Sequence, residues 1–165
     1  MPSSASTTTS AAIIGAVGWL VLTFGAAAIG ARFLPDEWYR GLRKPAWNPP
    51  NSIFAPVWTA LYLLMASAAW LVWLEHGISG ALVPLILFVV QLVLNAAWTW
   101  LFFGRHQIRG AFLDILVLWV VILTTVILFW RLVSVAGILL LPYLIWVSFA
   151  AFLNGTIGRM NPKRA

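Results

Sequence analysis

The residues in this sequence that could do chemistry are few, and most are amides and aromatic rings set inside long apolar runs. Gln91 and Asn95 are spaced i, i+4, which puts them on one face of a helix, and Trp98 and Phe102 continue that stripe. An amide left unpaired in hydrocarbon costs several kcal/mol, so each of the two needs a partner. Two readings stay open: they bond between helices, or one of them, Asn95 before Gln91, faces a cavity and donates to a ligand. In a later run Tyr143, Trp146, Ala150 and Asn154 follow Pro142 at steps that share a face, with Val147 beside them. Trp58 and Tyr62 make another i, i+4 pair, just after Phe54 and Pro56.

Tryptophan supplies a second signal, with 11 in 165 residues. Membrane tryptophans ordinarily form belts at the two interfaces, and Trp19, Trp70, Trp73 and Trp130 fit such belts. Trp119 and Trp146 fall near the middle of their runs, where a belt gives no reason for them. An apolar pocket lined with rings would hold a planar molecule such as a tetrapyrrole or a sterol, by stacking and by burial of area. Plain core packing is the simpler account of any single ring.

No catalytic or metal-ligating set accompanies these residues. His76 and His106 fall in turns, whereas a haem-ligating electron carrier presents its axial ligands inside the membrane. The sequence has no HExxH, no Gly-rich phosphate loop and no pair of intramembrane carboxylates. Asp114 is the only acid near a span. It is placed to snorkel or to pair with Arg109, and a proton or ion relay needs more than one acid. Cysteine is absent, which excludes disulfides, thiolate metal sites and a thiol nucleophile.

What must position these side chains is a bundle in lipid. The chain is 62% hydrophobic and 8% charged, and a soluble domain of this length exposes too much of its surface to hide so much apolar material. The expected fold is all-α, a bundle of five transmembrane helices forming one domain over residues 1–165. Spans are expected at about 11–33, 53–73, 79–103, 110–130 and 134–157, each near the roughly 20 residues that cross a hydrocarbon core. Met1 to Ser10 carries no Lys or Arg, so it lacks the charged start of a cleavable signal peptide, and the first run is expected to be retained. Between the first two spans, residues 34–52 are charged, aromatic and Pro-rich, which suits a structured loop at the membrane surface. A short helix is expected near Asp36 to Leu42, with Pro35 at its start. Pro49-Pro50 then holds off the next helix until Asn51 or Ser52 caps it.

The net charge of +6 follows membrane topology and not nucleic acid. Arg32, Arg40, Arg43, Lys44, Arg105, Arg109, Arg159, Lys163 and Arg164 all fall on one side of a five-span arrangement, and Arg131 alone falls on the other. In an inner membrane the positive-inside rule puts that basic side, with the 34–52 loop and the C-terminus, in the cytoplasm, and the N-terminus outside. No 20–50-residue repeat is visible, and five spans do not divide into an inverted repeat.

Four motifs in order complete the pattern: Pro35-Asp36-Glu37-Trp38-Tyr39; Leu42-x-Lys44-Pro45-x-Trp47-x-Pro49-Pro50, leading to Pro56-Val57-Trp58-x-x-Leu61-Tyr62; Gln91-x-x-x-Asn95-x-x-Trp98 with Leu101-Phe102-Phe103; and Leu141-Pro142-Tyr143-x-x-Trp146 with Asn154. Together they resemble the TspO family of tryptophan-rich sensory and translocator proteins, over nearly the whole chain. The resemblance implies a five-helix bundle, commonly a homodimer, whose 34–52 loop acts as a lid over a pocket. It implies a porphyrin ligand, protoporphyrin IX or haem, held without a covalent bond, and no metal site. By motif, the ligand-binding residues would be Trp38 and Tyr39 from the lid, Trp58 and Tyr62, then Asn95, Trp98 and Phe102, and finally Tyr143, Trp146 and Ala150. The stretch from Asn154 to Arg164 lacks the tyrosine arrangement of the family's cholesterol motif, so sterol binding by that route is not expected. Three functions follow from the resemblance: a sensor or regulator of tetrapyrrole level, a passive transporter of porphyrins or other lipophilic molecules, and light-dependent porphyrin degradation. The first is the leading reading, with no catalytic side chain assigned.

Overall fold

The structure is a computed structural model, and it describes residues 4–162. Lys163 and Arg164, counted above in the basic tail, and Met1 to Ser3 lie outside the described residues. Six α-helices follow in chain order: α1 (Ser4–Gly30), α2 (Glu37–Arg40), α3 (Asn51–Gly80), α4 (Leu82–Thr99), α5 (Ile108–Leu132) and α6 (Ser134–Met160). A π-helical turn, Trp100–Gly104, extends α4. Five of these segments are long and apolar enough to cross a membrane, and α2 is the short helix of the lid loop. Among the described residues there is no strand. The expected all-α bundle of five transmembrane helices is therefore the fold.

Why these segments are helices is plain from their content. Lipid gives the backbone no partners, so a spanning segment satisfies itself by closing every i→i−4 bond. Their outer faces carry Ile14, Leu113, Ile145 and Phe152, each more than half exposed, as a surface solvated by acyl chains requires. The centre holds Met65, Ala69, Val72, Phe88, Ile122, Phe129, Leu140 and Tyr143, all fully enclosed. The α1 helix stands at the rim and leans on α3 and α4. Trp19 meets Phe88 edge-on at 5.7 Å, and the Trp70 indole donates to the Ala12 carbonyl at 3.0 Å. At the other flank α5 and α6 run closest: a Cβ on Gly137 would lie 2.7 Å from Trp130 Cβ and 2.8 Å from its Cα.

Several expectations need correction. The third helix starts at Asn51 with Pro50 as its N-cap, and neither Asn51 nor Ser52 caps it; proline at that position already has the extended φ that a cap residue needs. The span expected over about 53–73 does break at Gly77, whose φ of 63° suits glycine alone, and a short helical piece follows to Gly80. Asp114 does not pair with Arg109: its Oδ2 is buried with no hydrogen-bond partner. Trp70 ties α1 to α3 and is more than a belt residue. Trp119 donates to Ser148 Oγ at 2.7 Å, an α5–α6 tie that accounts for its mid-span position without any pocket.

A cavity between two aromatic walls beneath the lid

The lid loop is built around one carboxylate. Asp36 is the N-cap of α2, and its Oδ1 accepts the Tyr39 backbone N–H at 3.0 Å. That bond is the main reason the Asp36 carboxyl sits below its usual pKa, and the bond and charge of His106 lower it further. The cap turns Tyr39 inward, where it is 6% exposed. Burial raises the Tyr39 phenol above its ordinary pKa, so it remains a neutral donor, reaching Asn48 Oδ1 at 3.5 Å. Lys44 lies over the Tyr39 ring at 4.4 Å and donates to the Arg40 and Leu42 carbonyls. Partial desolvation lowers the Lys44 pKa. A second clamp closes the far end of α2: Asn161, just beyond α6, accepts from the Arg43 N–H at 3.0 Å and donates to its carbonyl at 2.9 Å.

Under this loop lies a narrow cavity of about 40 Å³, lined by rings from two groups. Tyr39, Trp98, Phe102 and Phe103 form one wall, with centroids 4.9–6.1 Å apart in neighbouring pairs. Phe54, Trp146 and Phe149 form the other, in contact at 5.9 and 5.7 Å. Ala150, Leu153, Asn154 and Ile157 from α6 floor the space. The π-helical turn explains how one wall gets two adjacent phenylalanines. Its wider winding, seen in the Arg105 N–H bonding the Trp100 carbonyl at 2.8 Å, brings both Phe102 and Phe103 to the cavity. The wall carries one polar pair: the Trp98 indole N–H donates to Asn154 Oδ1 at 3.0 Å, and Asn154 Nδ2 donates to the Ile108 carbonyl at 3.1 Å.

Of the ten residues expected to bind ligand, Tyr39, Trp98, Phe102, Trp146 and Ala150 line this cavity. Trp38 stands behind its wall, edge-on to Phe102 at 5.9 Å. The other four gather one to two turns deeper, as a cluster of their own. Trp58 stacks on Tyr62 at 5.4 Å and meets Tyr143 at 6.2 Å, while the Asn95 amide donates to the Tyr143 hydroxyl at 3.0 Å. Asn95 is thus bonded between helices, the plainer of its two readings. Gln91 is fully buried, and neither of its amide atoms has a partner. Phe54, Phe103, Phe149, Leu153 and Ile157 line the cavity and were not foreseen. Phe54 and Phe103 already stood inside the quoted motifs or beside them; Phe149 lay one residue before Ala150, with no signal of its own. Among the described residues no group of three or more His, Asp or Glu could hold a metal.

Five long apolar helices, three of which line a small ring-walled cavity under a surface loop, define an integral, multi-pass membrane protein. A model of the TspO/MBR family matches residues 9–160, and the chain belongs to that family. It is 40% identical over 133 residues to the tryptophan-rich protein TspO of Chlorobaculum tepidum, covering 78% of this chain and 82% of that one. To protein CrtK of Rhodobacter capsulatus it is 41% identical over 138 residues, 83% and 86% of the two chains. To the translocator protein of Homo sapiens it is 37% identical over 153 residues, 90% of each.

Proposed function

We propose that this protein binds porphyrins, protoporphyrin IX or haem, in the cavity beneath the lid, and acts as a sensor or regulator of tetrapyrrole level. One observation carries the reading. Among the described residues no ring contact joins the wall of Tyr39, Trp98, Phe102 and Phe103 to the wall of Phe54, Trp146 and Phe149, so the gap between them has two aromatic faces. A planar macrocycle between the walls would stack on both sides, and because the space is only about 40 Å³ the walls must part to admit it.

Titration of the purified protein with protoporphyrin IX tests this by quenching of tryptophan emission. Saturable quenching is expected, weakened about tenfold or more in Trp146→Ala. Absence of saturation, or an unchanged affinity in Trp146→Ala, would dispose of the reading. The basic lid side is read as cytoplasmic, to be checked by labelling single cysteines placed on either side in intact cells. The chain is also read as a homodimer. The α1 helix is its most exposed span, and Gly18 and Gly25 meet no atom of the rest of the chain; cross-linking through a cysteine at either position in native membranes would test this.

A further inference from the structure

The turn joining the π-helical end of α4 to α5 holds one residue with a left-handed backbone, His106, at φ 55°. A non-glycine residue keeps such a conformation only where its surroundings demand it. The Gln107 N–H bonds the Leu101 carbonyl at 2.9 Å and closes the turn tightly. The result aims the imidazole at the lid. His106 Nε2 lies 3.0 Å from Asp36 Oδ2, and the ring lies flat on Trp38, 4.3 Å between centroids and 16° between planes. The other oxygen of the same carboxylate caps α2 at Tyr39. A continuous path therefore runs from His106 through Asp36 to the Tyr39 backbone, and from there to a ring in the cavity wall.

The two ends of the lid differ in how firmly they are held. At Arg43 the clamp is a pair of backbone bonds to Asn161, whose side chain is almost fully enclosed. At Asp36 the bond joins two half-exposed side chains, with the His106 side chain 39% and the Asp36 side chain 44% exposed. Water competes more readily for the second, whose two partners are both half-exposed side chains, than for the first, where two bonds converge on an enclosed amide. We propose that His106 is a positioning residue for the cavity: with Asp36 and Trp38 it latches the lid, and the latch releases for ligand exchange while the Asn161 clamp stays as the hinge. The ligand half of this proposal rests on the porphyrin reading above; the latch itself does not.

The test reads the two halves separately. Opening of the ligand-free lid is followed by tryptic cleavage after Arg40 and Arg43, with fragments identified by mass. Ligand exchange is followed as the dissociation rate of protoporphyrin IX. His106→Asn removes the ring while supplying a residue that tolerates a left-handed backbone, so the turn keeps its shape. Asp36→Asn keeps an oxygen for the α2 cap and removes the charge facing His106. Both variants are expected to be cleaved about 3- to 10-fold faster than the parent, with a similar rise in porphyrin dissociation rate. The double variant is expected to behave like either single one, because both remove the same bond. Thermal unfolding of the bundle should not change. Cleavage within about twofold of the parent in both singles, or fully additive effects in the double, would overturn the latch. Faster cleavage with no porphyrin binding in the parent would keep the latch and sink the ligand reading instead.

Discussion

The Asn95 amide donates a 3.0 Å hydrogen bond to the Tyr143 hydroxyl, joining α4 to α6 at a point where both side chains are enclosed. This bond engages one N–H of the Asn95 amide in holding the bundle. Tyr143→Phe removes the acceptor and strands a buried amide, which is expected to cost about 1–2 kcal/mol in reversible unfolding from detergent micelles. Affinity for protoporphyrin IX is expected to stay near that of the parent, because the pair lies deeper than the cavity lining. Unchanged stability together with lost affinity would move Asn95 and Tyr143 into the site.

Ala150 offers the opposite experiment. It lines the narrow space between the two aromatic walls and packs against the bundle core. Ala150→Phe is expected to weaken porphyrin binding about tenfold or more and, by overfilling the space, to cost about 1–3 kcal/mol of stability. Quenching titrations and thermal unfolding of the same preparation decide it. Retained affinity would mean that ligand does not use this gap.

The contrast between these two positions shows how far the sequence could be read. The five spans were visible because lipid imposes long uninterrupted apolar runs, and the run between Gly110 and Trp130 has no other explanation. Face sharing was visible too: Trp98 and Phe102, four apart, do lie on one wall. Depth along the bundle was not. Trp58 and Trp146 sit in equally rich motifs, yet Trp146 reaches the cavity and Trp58 packs below it. Helix period fixes direction around an axis, and only the relative heights of neighbouring helices decide which residues meet. The π-helical turn was hidden for a related reason. Nothing in Trp100-Leu101-Phe102-Phe103-Gly104 distinguishes i→i−5 from i→i−4 bonding, so the choice falls to tertiary contacts. Gly104 belongs to that selection, since a Cβ there would press within 2.7 Å of the Phe33 ring.

Glycine at the α5–α6 crossing makes a further prediction. A methyl at Gly137 would approach the Trp130 backbone nitrogen to 2.9 Å, and a backbone cannot rotate away as a side chain can. Gly137→Ala is expected to cost about 1–3 kcal/mol by forcing the two helices apart, read as a lower unfolding midpoint in micelles. Gly25→Ala, where nothing lies within 4 Å, is the matching control and should leave the midpoint of the isolated chain unchanged. Equal effects at the two positions would refute the close crossing.

The lid should respond to acid in one direction. Because the Tyr39 N–H bond, and then His106, lower the Asp36 pKa below its ordinary 3.8, the ionised carboxylate is favoured in the folded lid. Its contribution is complete above that ordinary value and is lost as pH falls through the lowered one. The Tyr39 amide proton reports the event directly, since it donates to the carboxylate. The step in its NMR shift that follows Asp36 itself is expected below about pH 4. A midpoint above about 4 would contradict the cap geometry.

Gln91 presents the last case, because its amide is fully buried and unpartnered. The Thr23 hydroxyl shares that condition. Trp19 meets Phe88 at 5.7 Å and a Cβ on Gly30 would lie 3.4 Å from Thr99 Oγ1, the same sequence offset in each case, so α1 and α4 run side by side in parallel. That register sets Thr23 level with Leu92, beside Gln91. Two orphaned polar groups at one height in the hydrocarbon core weaken the seam that holds α1 to the bundle. Replacing both with apolar groups of similar shape, Thr23→Val and Gln91→Met, is therefore expected to leave the protein as stable as the parent or about 1 kcal/mol more so. If each single variant instead loses more than about 1 kcal/mol and the double loses no more than either, the two groups share a bridge that the apolar pair cannot supply.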